Sequence, residues 1–534
     1  MRQTGLGQRP PTSVALGNAQ GIECLKGVLA EGQNHSDAAV NLAFSQIAQV
    51  HPRSWGVAPG YDEKMAFGQN LTRLSLVLIL LAMVCPSTAT AAADRDKPNV
   101  LLIAVDDLND WVGCLGGHSQ THTPNIDRLA ARGMLFTNAH CQGTMCNPSR
   151  ISLLWGRRPS STGFYSNRYP VSKEPGFLRS HVSLPVHFAA SGYRTLTAGK
   201  VFHGGATLQK HFHVVGPRPG QWLKGLDKKV HNKPKGWHGI WDFGPQDYDE
   251  SKFTDHVVAT WATEQLGSEH EKPFFLAFGF YRPHVPFFPP RRIYDTFKDV
   301  ELPRVDGDDW NDIPDAARKV SLSNPKIPTH DWMRENGRWQ QAVHAYLACV
   351  RWTDEQLGRV LDALDNGPHA KNTIVVLFSD HGYHLGEKQR WSKFSLWERT
   401  THVPLIISVP DGVKGRTDKP VELLSIYPTL IDLCGLPANP RLEGVSLGPL
   451  LEDPKADWKH VAISTLGQNN HAVRDERWRY IQYADGSEEL YDHQTDPNEW
   501  NNIAAKPLPP GLHTKVIARL KKHLPTTNLP QQGE

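Results

Sequence analysis

Two apolar runs, each halted by acidic residues, constrain this chain more than any other feature of its sequence. The stretch Lys97–Val105 is continuously apolar from Val100 onward and ends in Asp106-Asp107; Thr373–Phe378 runs in the same way into Ser379-Asp380-His381-Gly382. A run apolar at every position, not every second one, describes a strand buried on both faces, the kind found in parallel sheets. The pattern recurs at Phe274–Phe280 and Pro404–Val409. Amphipathic stretches separate these runs. Phe253–Leu266 places Phe253, Val257, Val258 and Trp261 on one face, and Trp339–Leu364 does so with Val343, Val350, Leu357, Val360, Leu361 and Leu364. Strands alternating with helices predict an α/β fold: a large, mostly parallel sheet flanked by helices. Ligands of such sheets lie beyond the carboxyl ends of the strands. Asp106-Asp107 and Asp380-His381 are therefore expected at one rim, although they are far apart in sequence.

Composition agrees with a sizeable core. Of 534 residues, 39% are hydrophobic and 21% charged, which excludes a wholly disordered chain. A net charge of +3 with no basic block excludes an electrostatic nucleic-acid binder. Seven cysteines are too few for a disulfide framework, though Cys114, Cys141, Cys349 and Cys434 could pair after export.

Export is expected from Arg73, the apolar run Leu74–Val84 and the small residues Ser87–Ala93, which together have the form of a secretory signal. The run falls well short of the ~20 residues a spanning helix needs, so no stable membrane span is expected. The chain is thus expected to comprise an over-called or disordered leader (1–64), a signal peptide (65–93), a catalytic domain (97–455) and a carboxyl-terminal subdomain (456–534). In the last, Val461–Ser464, Trp478–Tyr483 and Glu488–Tyr491 predict a small antiparallel sheet, and Val516–Leu524 a helix. The region from Gly204 to Glu250, rich in Gly, Pro and Trp, reads as long loops walling a pocket. Its Trp222, Trp237 and Trp241 could stack on sugar rings or pack as a loop core.

Adjacent carboxylates at a strand end repel each other unless a cation lies between them, and a hard ion such as Ca²⁺ or Mg²⁺ suits them. Capping of a following helix or turn is the alternative use of Asp-Asp. The block Cys146-Asn147-Pro148-Ser149-Arg150-Ile151-Ser152-Leu153-Leu154-Trp155-Gly156-Arg157 bears on that choice. It resembles the signature of the type I sulfatases, C-x-P-S-R-x-x-L-x-T-G-R, with Trp155 in place of the usual Thr. Gly199-Lys200-Val201-Phe202-His203-Gly204, Tyr281–Pro286, Trp391-Ser392-Lys393, Arg157-Arg158-Pro159 and Tyr165 are similar to the iduronate-2-sulfatase branch of that family.

The resemblance implies the alkaline-phosphatase-like fold and hydrolysis of sulfate monoesters, on a sulfated sugar or polysaccharide fragment. It implies that a maturing enzyme oxidises Cys146 to formylglycine, whose hydrate is the nucleophile. It further implies that Asp106, Asp107, Asp380, His381 and residue 146 hold one Ca²⁺ and that Arg150 steadies the formylglycine. Lys200, His203, His284 and Lys393 would surround the sulfate, with Tyr165 on the substrate wall. A sulfate monoester is anionic, so cations that offset its charge during attack fit these residue types. A phosphate or phosphonate monoester hydrolase, a choline sulfatase, and a glycan-binding protein with unmodified Cys146 are the competing readings.

Overall fold

The computed structural model describes residues 97–168, 176–204, 206–220, 241–507 and 509–532. The leader, the signal segment, Trp222 and Trp237 lie outside them. The apolar runs become the strands of one eight-stranded sheet: β1 (Asn99–Val105), β2 (Met134–Phe136), β3 (Arg194–Gly199), β4 (Val214–Val215), β5 (Phe274–Phe280), β6 (Thr373–Ser379), β7 (Leu405–Ser408) and β8 (Gly415–Thr417). Their spatial order is β8-β2-β7-β6-β1-β5-β3-β4. In β1 the odd residues Leu101, Ile103 and Val105 join one core and the even residues Val100, Leu102 and Ala104 another. That two-sided burial is the reason the run is apolar at every position.

Helices cover both faces. Helix α1 (Pro124–Arg132) takes its capping from a later helix, because Asp354 accepts hydrogen bonds from the backbone N–H of Asn125 (3.1 Å) and Ile126 (2.7 Å). The helices α3 (Thr254–Gly267) and α4 (Trp339–Asp365) pack on the first core through Val258, Ala262, Val343, Tyr346, Leu357 and Leu361. Helix α2 (Cys146–Trp155) lies on the other core through Ile151, Leu153, Leu154 and Trp155.

One strand departs from expectation in direction. β7 runs antiparallel to β6 and to β2, so the sheet is mixed, with β7 the reversed strand. An apolar run has the same pattern read either way, and direction is set by the path of the connecting chain.

Beyond it stands a four-stranded antiparallel sheet of β9 (Ala462–Thr465), β10 (His471–Arg474), β11 (Trp478–Gln482) and β12 (Glu488–Asp492), in that order. The short β10 was absent from the sequence reading. Helix α5 (Leu512–Lys521) covers one face through Val516 and Leu520. The opposite face, with Ala472, Ile481 and Tyr491, packs on Met145, Leu396 and Trp397. Arg479, 1% exposed, ties the two parts together by pairing with Glu398 and with Glu499 (2.5 Å). The sheet therefore abuts the residue that precedes Cys146. Among the described residues, no helix is long and apolar enough to cross a membrane.

Candidate active site

β1 and β6 are parallel neighbours with Val105 opposite Ser379, which places Asp106 and Asp380 side by side where both strands end. The backbone N–H of Asp107 donates to Asp380 Oδ1 at 3.2 Å, and the N–H of Leu108 donates to Ser379 Oγ at 3.0 Å. Asp107 is held at φ +62°, a left-handed conformation that non-glycine residues adopt only where surroundings enforce it. Tyr346 on α4 supplies part of that enforcement: its hydroxyl donates to the Asp107 carbonyl (2.8 Å) and accepts from the Asn109 N–H (3.0 Å).

Cys146 occupies the first turn of α2, with its side chain aimed at this rim. Its thiol lies 3.1 Å from Lys393 Nζ, 3.3 Å from His381 Nε2 and 3.7 Å from Lys200 Nζ. It is fully buried, yet among charges and not among hydrocarbons. Burial opposes ionisation of the thiol, but Lys200, Lys393 and His381, with a hydrogen bond from His203, outweigh it and hold the thiol well below its ordinary value.

Arg150, one helical turn after Cys146, donates through Nε to Asp380 Oδ2 (2.8 Å), through Nη2 to Asp106 Oδ1 (3.3 Å) and through Nη1 to the carbonyls of Lys200 and Val201 (3.1 Å for Val201). Lys200 pairs with Asp106, and Lys393 with Asp107 Oδ1 at 2.6 Å. Burial disfavours both ammonium groups, yet these carboxylates and the Cys146 sulfur hold the lysines above their ordinary values. His284 Nδ1 is bonded to the Val285 carbonyl at 2.6 Å, which leaves Nε2 facing Asp107 Oδ2 (3.8 Å) and Asp106 Oδ2 (4.0 Å).

The carboxylates respond to these neighbours in opposite senses. Burial and the Cys146 sulfur push Asp106 up, but Lys200, His284 and Arg150 prevail and hold it well below the carboxylate range. Burial raises Asp380 to about 6 against Arg150 and His381. His381 is pushed up to about 9: burial acts against its charge, and Asp380 and Cys146 overcome it.

The site can hold a metal ion. Asp106, Asp107, Cys146 and His381 each offer one ligand atom, and these atoms all lie within 4.8 Å of one another. Asp107 Oδ2 is buried without a hydrogen-bond donor, an uncompensated oxygen of the sort a metal satisfies. Asp380 borders this group: its Oδ1 accepts from Asp107 and from the His381 N–H (3.1 Å), and its Oδ2 from Arg150.

Above the rim opens a cleft of about 1570 Å³, whose floor includes Lys200, His203, His284 and Lys393. Tyr165 lines it too, but its hydroxyl donates to the Leu529 carbonyl at 2.9 Å and is not free for substrate. Trp241, 3% exposed, packs edge-on against Trp391 at 5.6 Å, so its role in the wall is loop-core packing. Cys114, Cys141, Cys146, Cys349 and Cys434 are all free thiols. Close approach also positions Lys200: a Cβ on Gly279 would meet the Lys200 carbonyl oxygen at 2.0 Å.

Two contributors escaped the sequence reading. Ser149 Oγ donates to the Asp380 carbonyl at 2.5 Å, and was visible inside the signature block. Tyr346 sits on the apolar face of α4, where nothing in the pattern distinguishes it from core.

The chain matches the sulfatase family over residues 98–436. It is a member of that family. An overlapping match covers residues 386–528, described as the N-sulphoglucosamine sulphohydrolase carboxyl-terminal region. Among relatives, a sulfatase of Formosa agariphila is 40% identical over 87% of this chain and 94% of its own. Human iduronate 2-sulfatase is 31% identical over 82% and 86%, and a Δ4,5-hexuronate-2-O-sulfatase of Bacteroides thetaiotaomicron 29% over 80% and 88%. A phosphonate monoester hydrolase of Agrobacterium radiobacter shares the fold, with a TM-score of 0.65 at 22% identity over 80% of this chain and 94% of that one. This sulfatase is a sulfuric ester hydrolase with the alkaline-phosphatase-like architecture.

Proposed function

We propose that this sulfatase is exported and hydrolyses sulfate monoesters on a sulfated saccharide, after a maturing enzyme converts Cys146 to formylglycine. The observation that carries the reading is the Cys146 side chain at the start of α2, ringed by Lys200, Lys393 and His381 beside Asp106 and Asp107. The names of the relatives, two of them 2-sulfatases of uronate sugars, support a glycan substrate. An aldehyde at position 146 supplies, as its hydrate, a hydroxyl nucleophile. Asp106, Asp107, residue 146 and His381, with Asp380 adjacent, would hold a Ca²⁺, which would supply positive charge for the sulfate oxygens.

The chain's own residues do the rest. Lys200 and Lys393 remain cationic because buried carboxylates hold them so, and they offset the substrate's charge where water cannot screen it. Arg150 spans two strand ends and fixes the separation of Asp106 and Asp380. Burial holds His203 below its ordinary value while Cys146 acts in the opposite sense, which favours the neutral ring, a proton acceptor beside residue 146. His284, with Nδ1 committed to a carbonyl, turns Nε2 toward the reacting group, where the doubly protonated ring can hand a proton to a leaving oxygen.

Mass spectrometry of the peptide spanning Cys146 tests maturation: conversion removes about 18 Da. Parallel kcat/KM measurements on an aryl sulfate and an aryl phosphate test the reaction. A converted protein that prefers sulfate supports the proposal, and one that prefers phosphate overturns it in favour of phosphate-ester hydrolysis.

A further inference from the structure

Beyond the sulfate-binding floor, the cleft carries cations that the reaction does not use. Arg168, Arg218, Lys319 and Lys326 line it, with Asp315 and Asp485 as the carboxylates among the same described wall residues. Arg218 is engaged, since Nη2 donates to the Phe202 carbonyl at 3.0 Å. Lys319 acts electrostatically on Asp485. The Arg168 side chain is exposed and has no hydrogen-bond or ion-pair partner among the described residues.

Arg168 also follows a stretch of chain that is well anchored. A strap of chain at residues 528–532 crosses back to it from the carboxyl-terminal sheet. The Leu529 N–H donates to the Ser160 carbonyl (2.9 Å), its carbonyl accepts from Tyr165, and the Gln532 N–H donates to the Gly163 carbonyl (2.7 Å). Asn528 Oδ1 is bonded to His471 Nε2 at 2.8 Å. The approach is close: a Cβ on Gly163 would meet the Pro530 carbonyl oxygen at 2.3 Å. On its other side the segment grips the nucleophile's neighbour, because Asn147 donates through Nδ2 to the Ser166 carbonyl and through its N–H to Asn167 Oδ1, both at 2.9 Å. Gln531 of the strap lines the same cleft.

We propose that Arg168, braced by the 528–532 strap, is a specificity-determining residue that binds a second anionic group of the substrate, a carboxylate or sulfate on the glycan beyond the ester being cleaved. This rests on the sulfatase reading. A guanidinium fork matches a planar carboxylate or a sulfate, and an unpaired one at a cleft mouth loses little solvation when such a partner arrives. The cleft exceeds the 300–1,000 Å³ usual for small-ligand sites, room for more than one sugar ring.

Titration calorimetry on the full chain carrying Cys146→Ala, which binds without turnover, tests the assignment. The probes are a disaccharide with one sulfate and the same disaccharide with an added uronate carboxylate. The doubly charged probe should bind about 10- to 100-fold more tightly, the range of one charge-assisted hydrogen bond. Adding Arg168→Gln should bring the two affinities within about threefold while leaving the singly charged probe unaffected. A preference that survives Arg168→Gln overturns the proposal. Asn528→Ala should weaken the same preference with unchanged aryl sulfate kcat/KM in the Cys146 background; an intact preference there overturns the bracing role. Failure of the parent to cleave aryl sulfate, with an Arg168-dependent preference retained, would sink the sulfatase reading and leave the anion subsite standing.

Discussion

Replacing Trp155 by Thr would bring the signature to its family form, and the structure predicts that it would damage the protein. Trp155 is 1% exposed on the inner face of α2, with ring centroids 5.4 Å from His211 and 6.0 Å from Phe202. Its indole N–H donates to the Leu178 carbonyl at 3.3 Å. A buried Trp removes about 150–250 Å² from water, or roughly 4–6 kcal/mol at ~25 cal/mol per Å². Thr recovers part of that. The lost hydrogen bond costs about 1 kcal/mol, and its own hydroxyl enters an apolar cluster without an assured partner. The net is about 3–5 kcal/mol, the range for truncation of a buried Trp and a large share of a typical folding free energy. Equilibrium urea unfolding followed by far-UV circular dichroism measures it, with Trp155→Phe expected to lose less than half as much. Mass analysis of the Cys146 peptide separates stability from maturation. A Trp155→Thr protein within about 1 kcal/mol of the parent would refute the packing argument.

Gly279→Ala should lower kcat/KM by at least about tenfold, because its new methyl group collides with the Lys200 backbone and must displace that residue; steady-state kinetics on aryl sulfate checks this, and a neutral result would mean Lys200 tolerates the shift. Acid should destabilise the fold through His471, which burial depresses to about 4. Its neutral ring is already satisfied by Thr465 Oγ1 (3.0 Å) and Asn528. A folded-state value below the unfolded one means the stabilisation is present above pH ~6.5 and is lost as pH falls through 4, up to about 3 kcal/mol by linkage. Unfolding free energies measured across pH 7 to 4 should have a shallower slope in His471→Gln than in the parent; equal slopes would remove His471 from the account.

The sheet and its rim are legible in the residue pattern alone. Strands buried on both faces must be apolar throughout, so β1, β5 and β6 announce themselves, and acids that end such runs must lie beyond the strand ends. The signature block likewise marked Cys146 and Arg150, because modification and charge chemistry need particular residue types at fixed spacing. Other features follow from contacts between segments that share no local pattern. The reversal of β7 depends on the connection that precedes it. Asp107 keeps its left-handed backbone because Tyr346 reaches it from a helix whose pattern reads only as core. Tyr165 gives its hydroxyl proton to the carbonyl of Leu529, 364 positions away. Periodicity and motifs record what a residue does for its own element; what it does for a distant one is settled only when the chain closes on itself.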